Sequence, residues 1–302
     1  MKQKILLLSF ALFFSELSAQ QDAQFSQNMF NKLANNPGYT GSNQAIEVIG
    51  LFRSQWTGFE GAPATTNISI NAPIERIYGG LGLNVINEEI GSFKNTSINL
   101  SYAYQAQLGN GQLGIGLSAG MVQSALDGTQ LNPSEPGDNV IPTSEVTGSA
   151  LDIGAGLYFN TQDVYFGLST AHITEPAIEV TDGSIMQLTQ HYFLIAGSYH
   201  ELTSNLSLNP SIYLKSDGSS SQLDINTNIL YNDKLWGGVS YRLDDGIVVL
   251  AGLELMKDLK LGLAYDLVMS PIDKNSFEVM LGYNFNVQVD TQQKRYKNPR
   301  FL

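Results

Sequence analysis

Residues 276–285 read Ser276-Phe277-Glu278-Val279-Met280-Leu281-Gly282-Tyr283-Asn284-Phe285. Phe277, Val279, Leu281, Tyr283 and Phe285 fall on one face of an extended chain, and Glu278, Met280, Gly282 and Asn284 on the other. Successive side chains of a β-strand point to opposite faces, so a period of two predicts one greasy face and one wet face. The greasy face carries aromatic residues at both ends around an aliphatic middle. That order suits a strand crossing lipid, with rings at the two interfaces.

The same alternation recurs upstream. Strands are predicted at 45–54, 64–73, 77–87, 94–107, 111–123, 148–160, 162–170, 190–201, 204–215, 222–232, 234–243, 246–256, 258–268 and 275–286, fourteen in all. Leu113, Ile115, Leu117 and Ala119 oppose Gly114, Gly116, Ser118 and Gly120, and Leu259, Leu261, Leu263, Tyr265 and Leu267 oppose Lys260, Gly262, Ala264 and Asp266.

The connections sort by parity. Long stretches near Trp56, around Glu88–Gly91, at 124–147, at 171–189 and at 216–221 alternate with tight turns such as Gly109-Asn110-Gly111 and Asn232-Asp233. The short turn at Asp244-Asp245 is the exception on the long side. Outer-membrane barrels have even strand numbers, short periplasmic turns and longer external loops, whereas a soluble sandwich has no reason to sort its loops this way. The expectation is an all-β protein: a transmembrane antiparallel β-barrel of about 14 strands in the outer membrane, with both termini periplasmic.

Composition agrees. Gly, Tyr and Phe are plentiful, only 15% of residues are charged and Cys is absent, which excludes a disulfide framework, a thiolate nucleophile and Cys-ligated zinc. A net charge of -12 and the absence of Lys and Arg from Asn95 to Leu214 exclude the basic footprint that nucleic acid requires.

Residues 1–19 read as a signal peptide, with Lys2 and Lys4 before the apolar run Ile5–Phe14 and small residues at the cleavage site. Residues 20–44 follow as a periplasmic leader, expected outside the barrel wall or tucked into its periplasmic mouth. Phe25, Met29 and Phe30 are expected on one face of a short helix there, and Pro37 and Tyr39 flank a turn. The barrel proper is assigned to 45–287 and a basic periplasmic tail to 288–302.

The blocks Gln24–Asn31, Asn36-Pro37-Gly38-Tyr39-Thr40-Gly41, Phe52–Pro63 and Asn298–Leu302, in this order, resemble the PorP/SprF family. Gly38 and Thr40 stand where small residues such as Ala are expected. The resemblance implies an outer-membrane barrel of the type IX secretion system, associated with gliding motility in bacteria that glide. Its implied partners are periplasmic secretion or gliding components, and a secreted adhesin or its C-terminal sorting domain.

Gly109–Gly114 fits G-x-G-x-x-G, but it sits on a hairpin turn and a strand rather than before a helix. His172, His191 and His200 are scattered, and Asp127, Glu135, Asp138 and Glu145 lack regular oxygen-ligand spacing. No catalytic, metal or cofactor residue is assigned.

On the inner faces, Glu47, Arg53, Asp152, Asp224, Arg242, Glu254, Lys260, Asp266 and Glu278 sit among Gly, Ser and Asn. They are expected to form ion pairs in a filled interior, the small residues admitting a plug, with a conducting lumen as the alternative. Partner docking is expected at the tail, Lys294, Arg295, Tyr296, Lys297, Asn298, Pro299, Arg300, Phe301 and Leu302, and at Phe25, Met29, Phe30, Pro37 and Tyr39 of the leader. Trp56 and Phe59 in the first external hairpin are candidates for cargo contact or interfacial anchoring. The expected function is a non-enzymatic scaffold; the alternative is a channel for small solutes or hydrophobic compounds, and a hydrolase is the third reading.

Overall fold

The computed structural model describes residues 22–43, 45–131, 142–181, 184–269 and 274–286. Its strands are β1 (Ile46–Ser54), β2 (Ala64–Ile74), β3 (Gly79–Ile90), β4 (Phe93–Leu108), β5 (Gly111–Asp127), β6 (Glu145–Asn160), β7 (Val164–Ala171), β8 (Ala177–Thr181), β9 (Ser184–Gln187), β10 (His191–Ser198), β11 (His200–Thr203), β12 (Leu206–Ser216), β13 (Ser221–Tyr231), β14 (Leu235–Arg242), β15 (Gly246–Met256), β16 (Leu259–Val268) and β17 (Ser276–Phe285). Wall strands pair antiparallel with their neighbours in sequence, and β1 closes the sheet on β17 from Ile46↔Phe285 to Ser54↔Phe277. β10 and β11 are one span interrupted at Tyr199, since both pair with β12. The wall is therefore a closed barrel of fourteen spans, as the alternation predicts, and closure leaves it no free sheet edge.

Outward and inward faces follow the period of two. Along β17, Phe277, Leu281, Tyr283 and Phe285 are exposed while Glu278 and Met280 are buried. Leu100, Leu117, Leu151 and Leu263 form part of the outward aliphatic band. Aromatic rings flank it: Phe52, Phe277, Tyr241 and Tyr192 towards the long loops, and Tyr104, Tyr231, Tyr283 and Phe285 towards the short turns. Phe52 and Phe277 lie 6.1 Å apart, centre to centre, across the β1–β17 seam.

Three connections differ from expectation. β3 continues to Ile90, which pairs with Phe93, so the loop expected at Glu88–Gly91 is a two-residue turn. The stretches at 124–147 and 171–189 are partly strand as well. β5 runs to Asp127 and β6 starts at Glu145, and β8 and β9 make a separate hairpin. Ile178 and Val180 of that hairpin pack on Val122 and Leu126, closing an apolar cluster against the upper wall.

Candidate functional site

The barrel is filled by its own leader. Phe25 packs with Ile49, Leu51, Trp236 and Met280; Met29 with Val248, Leu250 and Ala264; Leu33 and Tyr39 with Tyr158, Tyr165 and Phe193. This corrects the expected position outside the wall or at its mouth. Inward positions such as Met280, Trp236 and Val248 are apolar, and the leader removes them from water. Lys32, also buried, sits 4.3 Å from the centre of the Tyr165 ring, where the ring's negative face attracts its ammonium.

The leader runs the height of the lumen. Asp22 meets His172 and Lys215 at the long-loop end, and Gly41 lies against Gly79 and Gly80 at the short-turn end, just before β1 begins. Small wall residues make the space. A Cβ on Gly116 would land on the carbonyl of Pro37, and one on Gly114 on that of Gly38.

A polar latch holds the upper half. The Ser26 hydroxyl donates to Asp266 at 2.8 Å and accepts from Arg53 Nη1 at 2.8 Å and Arg242 Nη2 at 3.2 Å. The backbone N–H groups of Ser26 and Gln27 donate to the two oxygens of Glu278 at 2.7 and 2.9 Å. Arg53 pairs with Asp266 and Glu278, and Arg242 with Asp224 and Asp266. Each of these buried wall charges thus has an opposite charge beside it, the condition for tolerating charge away from water.

Beside the latch, at the long-loop end, a cavity of about 680 Å³ opens between leader and wall. Glu60, Glu88 and Asp152 line it with Asp22, His172 and His191. His172 Nε2 lies 2.9 Å from Asp22 Oδ1, and its Nδ1 3.0 Å from Asp152 Oδ1. Burial favours the neutral imidazole, but the adjoining Asp22 and Asp152 carboxylates outweigh it and raise the His172 pKa to about 10. Burial would raise the Asp22 pKa, yet His172 holds it well below the usual carboxylate range.

Two of the three histidines, far apart in sequence, are therefore neighbours. The signal was present: His172 directly follows the strand before the long connection and His191 opens the strand after it. Antiparallel pairing of β7 with β10 (Ala171↔His191) brings them together at the loop's base. His200 stays apart, beside Ser198 near a short turn.

The other expected sites are distributed differently. Residues 26–30 form turns rather than the expected short helix; Phe25, Met29, Pro37 and Tyr39 are buried against the wall and Phe30 is half-buried beside Trp236, so these side chains contact the barrel itself. Trp56 is half-buried, in left-handed backbone at φ 44°, with its backbone N–H donating to the Ser276 hydroxyl; Phe59 is exposed at the hairpin tip. Residues Lys294 to Leu302 lie outside the described residues, as do Glu135 and Asp138. Asp127 caps the turn after β5 through Thr129 and Gln130.

A family described as type IX secretion system membrane protein PorP/SprF matches residues 17–283. None of the curated proteins matches the sequence. Among solved structures, the Ralstonia pickettii toluene transporter TbuX is 13% identical with a TM-score of 0.45, covering 83% of this chain and 92% of its own. The Acinetobacter baumannii outer membrane protein Omp33 is 9% identical at 0.45, covering 82% and 100%. The translocator domain of the autotransporter NalP from Neisseria meningitidis is 13% identical at 0.45, covering 86% and 96%.

Proposed function

The chain belongs to the PorP/SprF family of type IX secretion system membrane proteins, and from that premise we propose that it is a closed, non-enzymatic outer-membrane anchor for secretion or gliding components. The observation that carries this reading is the leader packed along the lumen and tied to Arg53, Arg242, Asp266 and Glu278. A pore for solutes works through an open lumen, and this one is filled with buried side chains and ion pairs. Function then falls to the two ends. By the loop rule for such barrels the short turns face the periplasm, where the wall's first and last strands also end. The basic tail continues from β17 on that side and docks on an acidic groove of a periplasmic component, through its four cations and its Tyr296 and Phe301 rings. Phe59, on the opposite end, faces a secreted partner such as an adhesin or its sorting domain.

The test is gentle detergent purification from outer membranes of the intact chain and of a chain stopped at Asp290, with mass spectrometry of what accompanies each. Secretion or adhesin partners that leave on truncation support the anchor and the tail's role. Partners that remain move docking to the loops, and an intact barrel that purifies alone favours the channel.

A further inference from the structure

We propose that Asp22, His172 and His191 form a binding site for a divalent first-row transition metal, zinc in the first instance, that fastens the start of the leader to the barrel wall. One ligand atom from each of the three lies within 4.8 Å of the others. The set combines two imidazoles and a carboxylate, donors that suit such ions.

The orientation of the rings carries the argument further. In metal-bound histidines one nitrogen holds the ion while the other donates to a carboxylate or a backbone carbonyl, which fixes ring and tautomer. His191 has that outer partner, and His172 has a carboxylate beside its second nitrogen. His191 Nδ1 donates to the Thr189 carbonyl at 2.9 Å, leaving Nε2 as the lone-pair nitrogen, which accepts a long hydrogen bond of 3.4 Å from the Asp22 backbone N–H that an ion would replace. His172 Nδ1 stands 3.0 Å from Asp152 Oδ1, off the line of a hydrogen bond, while its Nε2 faces the Asp22 carboxylate. The rings meet edge to face at 5.9 Å, with His172 Nε2 against the Asp22 carboxylate and His191 against its backbone N–H, its Nδ1 3.9 Å from Asp22 Oδ2.

The surroundings favour a cation. Asp152, Glu60 and Glu88 line the same cavity, and all three ligands border it, so a remaining coordination position is open to water or to a donor from a bound molecule. The nearby ammonium of Lys215 is engaged at 2.8 Å by the backbone carbonyl of Asp22, where it holds the leader's main chain rather than the carboxylate. Two ligands belong to the wall, at the ends of β7 and β10, and the third to the leader, so the ion would join separate parts of the chain.

The experiment uses the full mature chain in detergent micelles, stripped with a chelator and then loaded with Zn²⁺, or with Co²⁺ for its visible absorption. The expected result is one ion per chain, lost in H191A and D22N, retained in H200A, and bound 10–100-fold more weakly in D152N. D22N changes only the leader and leaves the strand pairing untouched, so it remains informative if a wall variant fails to fold by heat-shift on gels. Failure to retain one ion per chain, or retention by folded D22N equal to that of the unmodified chain, overturns the proposal. Co-purification of secretion partners is a separate readout, so this result and the anchor reading stand or fall independently.

Discussion

Arg53 on β1 and Asp266 on β16 are separated by a whole strand, yet their side chains meet at 2.6 Å inside the barrel, with the Ser26 hydroxyl bound to both. The leader is thereby built into the charge balance of the wall. Replacing Arg53 by Ala leaves Asp266 and Glu278 without their nearest cation, and breaking a buried pair on one side costs about 3–5 kcal/mol. The expected outcome is a lower urea midpoint for the folded barrel in lipid vesicles. The double variant R53M/E278Q, which removes one charge of each sign and keeps an acceptor for the Ser26 and Gln27 N–H groups, should lose less than R53A alone; a larger loss would contradict a charge-balance role.

A filled lumen predicts electrical silence. In planar bilayers the intact chain is expected to give no steady ion current, while a chain lacking residues 22–41 gives stepwise conductance through the vacated interior. Equal conductance from the two chains would mean that ions pass around the leader.

The cradle at the short-turn end is tight. The Cβ of a Gly116→Ala chain would overlap the Pro37 carbonyl, and such overpacking typically costs about 1–3 kcal/mol. Because Pro37 is in the leader and Gly116 in the wall, the expected relief is outward movement of the leader. Protease cleavage within residues 31–41 should become faster than in the unmodified chain, with the barrel itself still folded on gels.

The lipid face should show depth dependence. Leu117 lies mid-strand on β5 and is 64% exposed, whereas Leu108 ends β4 at the short-turn side and is 54% exposed. Arginine at Leu117 is expected to cost about 2–4 kcal/mol and at Leu108 about 0–1 kcal/mol, measured by reversible unfolding in vesicles. Equal costs would contradict the position assigned to the aliphatic band.

How far these features were legible depends on which interactions fix them. The outward faces of β4, β5 and β17 were readable because side-chain alternation is a local property of the strand. The end of β3 was not, because Ile90 is held in the ladder by Phe93 across a turn whose glycine, Gly91, looks like loop sequence. Arg53, Asp266 and Glu278 could be placed on inner faces, but their pairing depends on the offset between strands. The Asp22–His172–His191 group joins positions about 150 residues apart, which only the leader's path could reveal.

The sequence by itself determined the number of wall spans, which residues face lipid and which face inward, because a period of two and the sorting of short and long connections are written residue by residue. Only the tertiary structure decided what the inward residues face. Met280, Trp236 and Val248 carry the same alternation whether the lumen holds water or protein. Closing β1 on β17 creates an interior whose apolar patches and charges are matched by Phe25, Met29 and Ser26, and that match exists only once the two ends of the sheet have met.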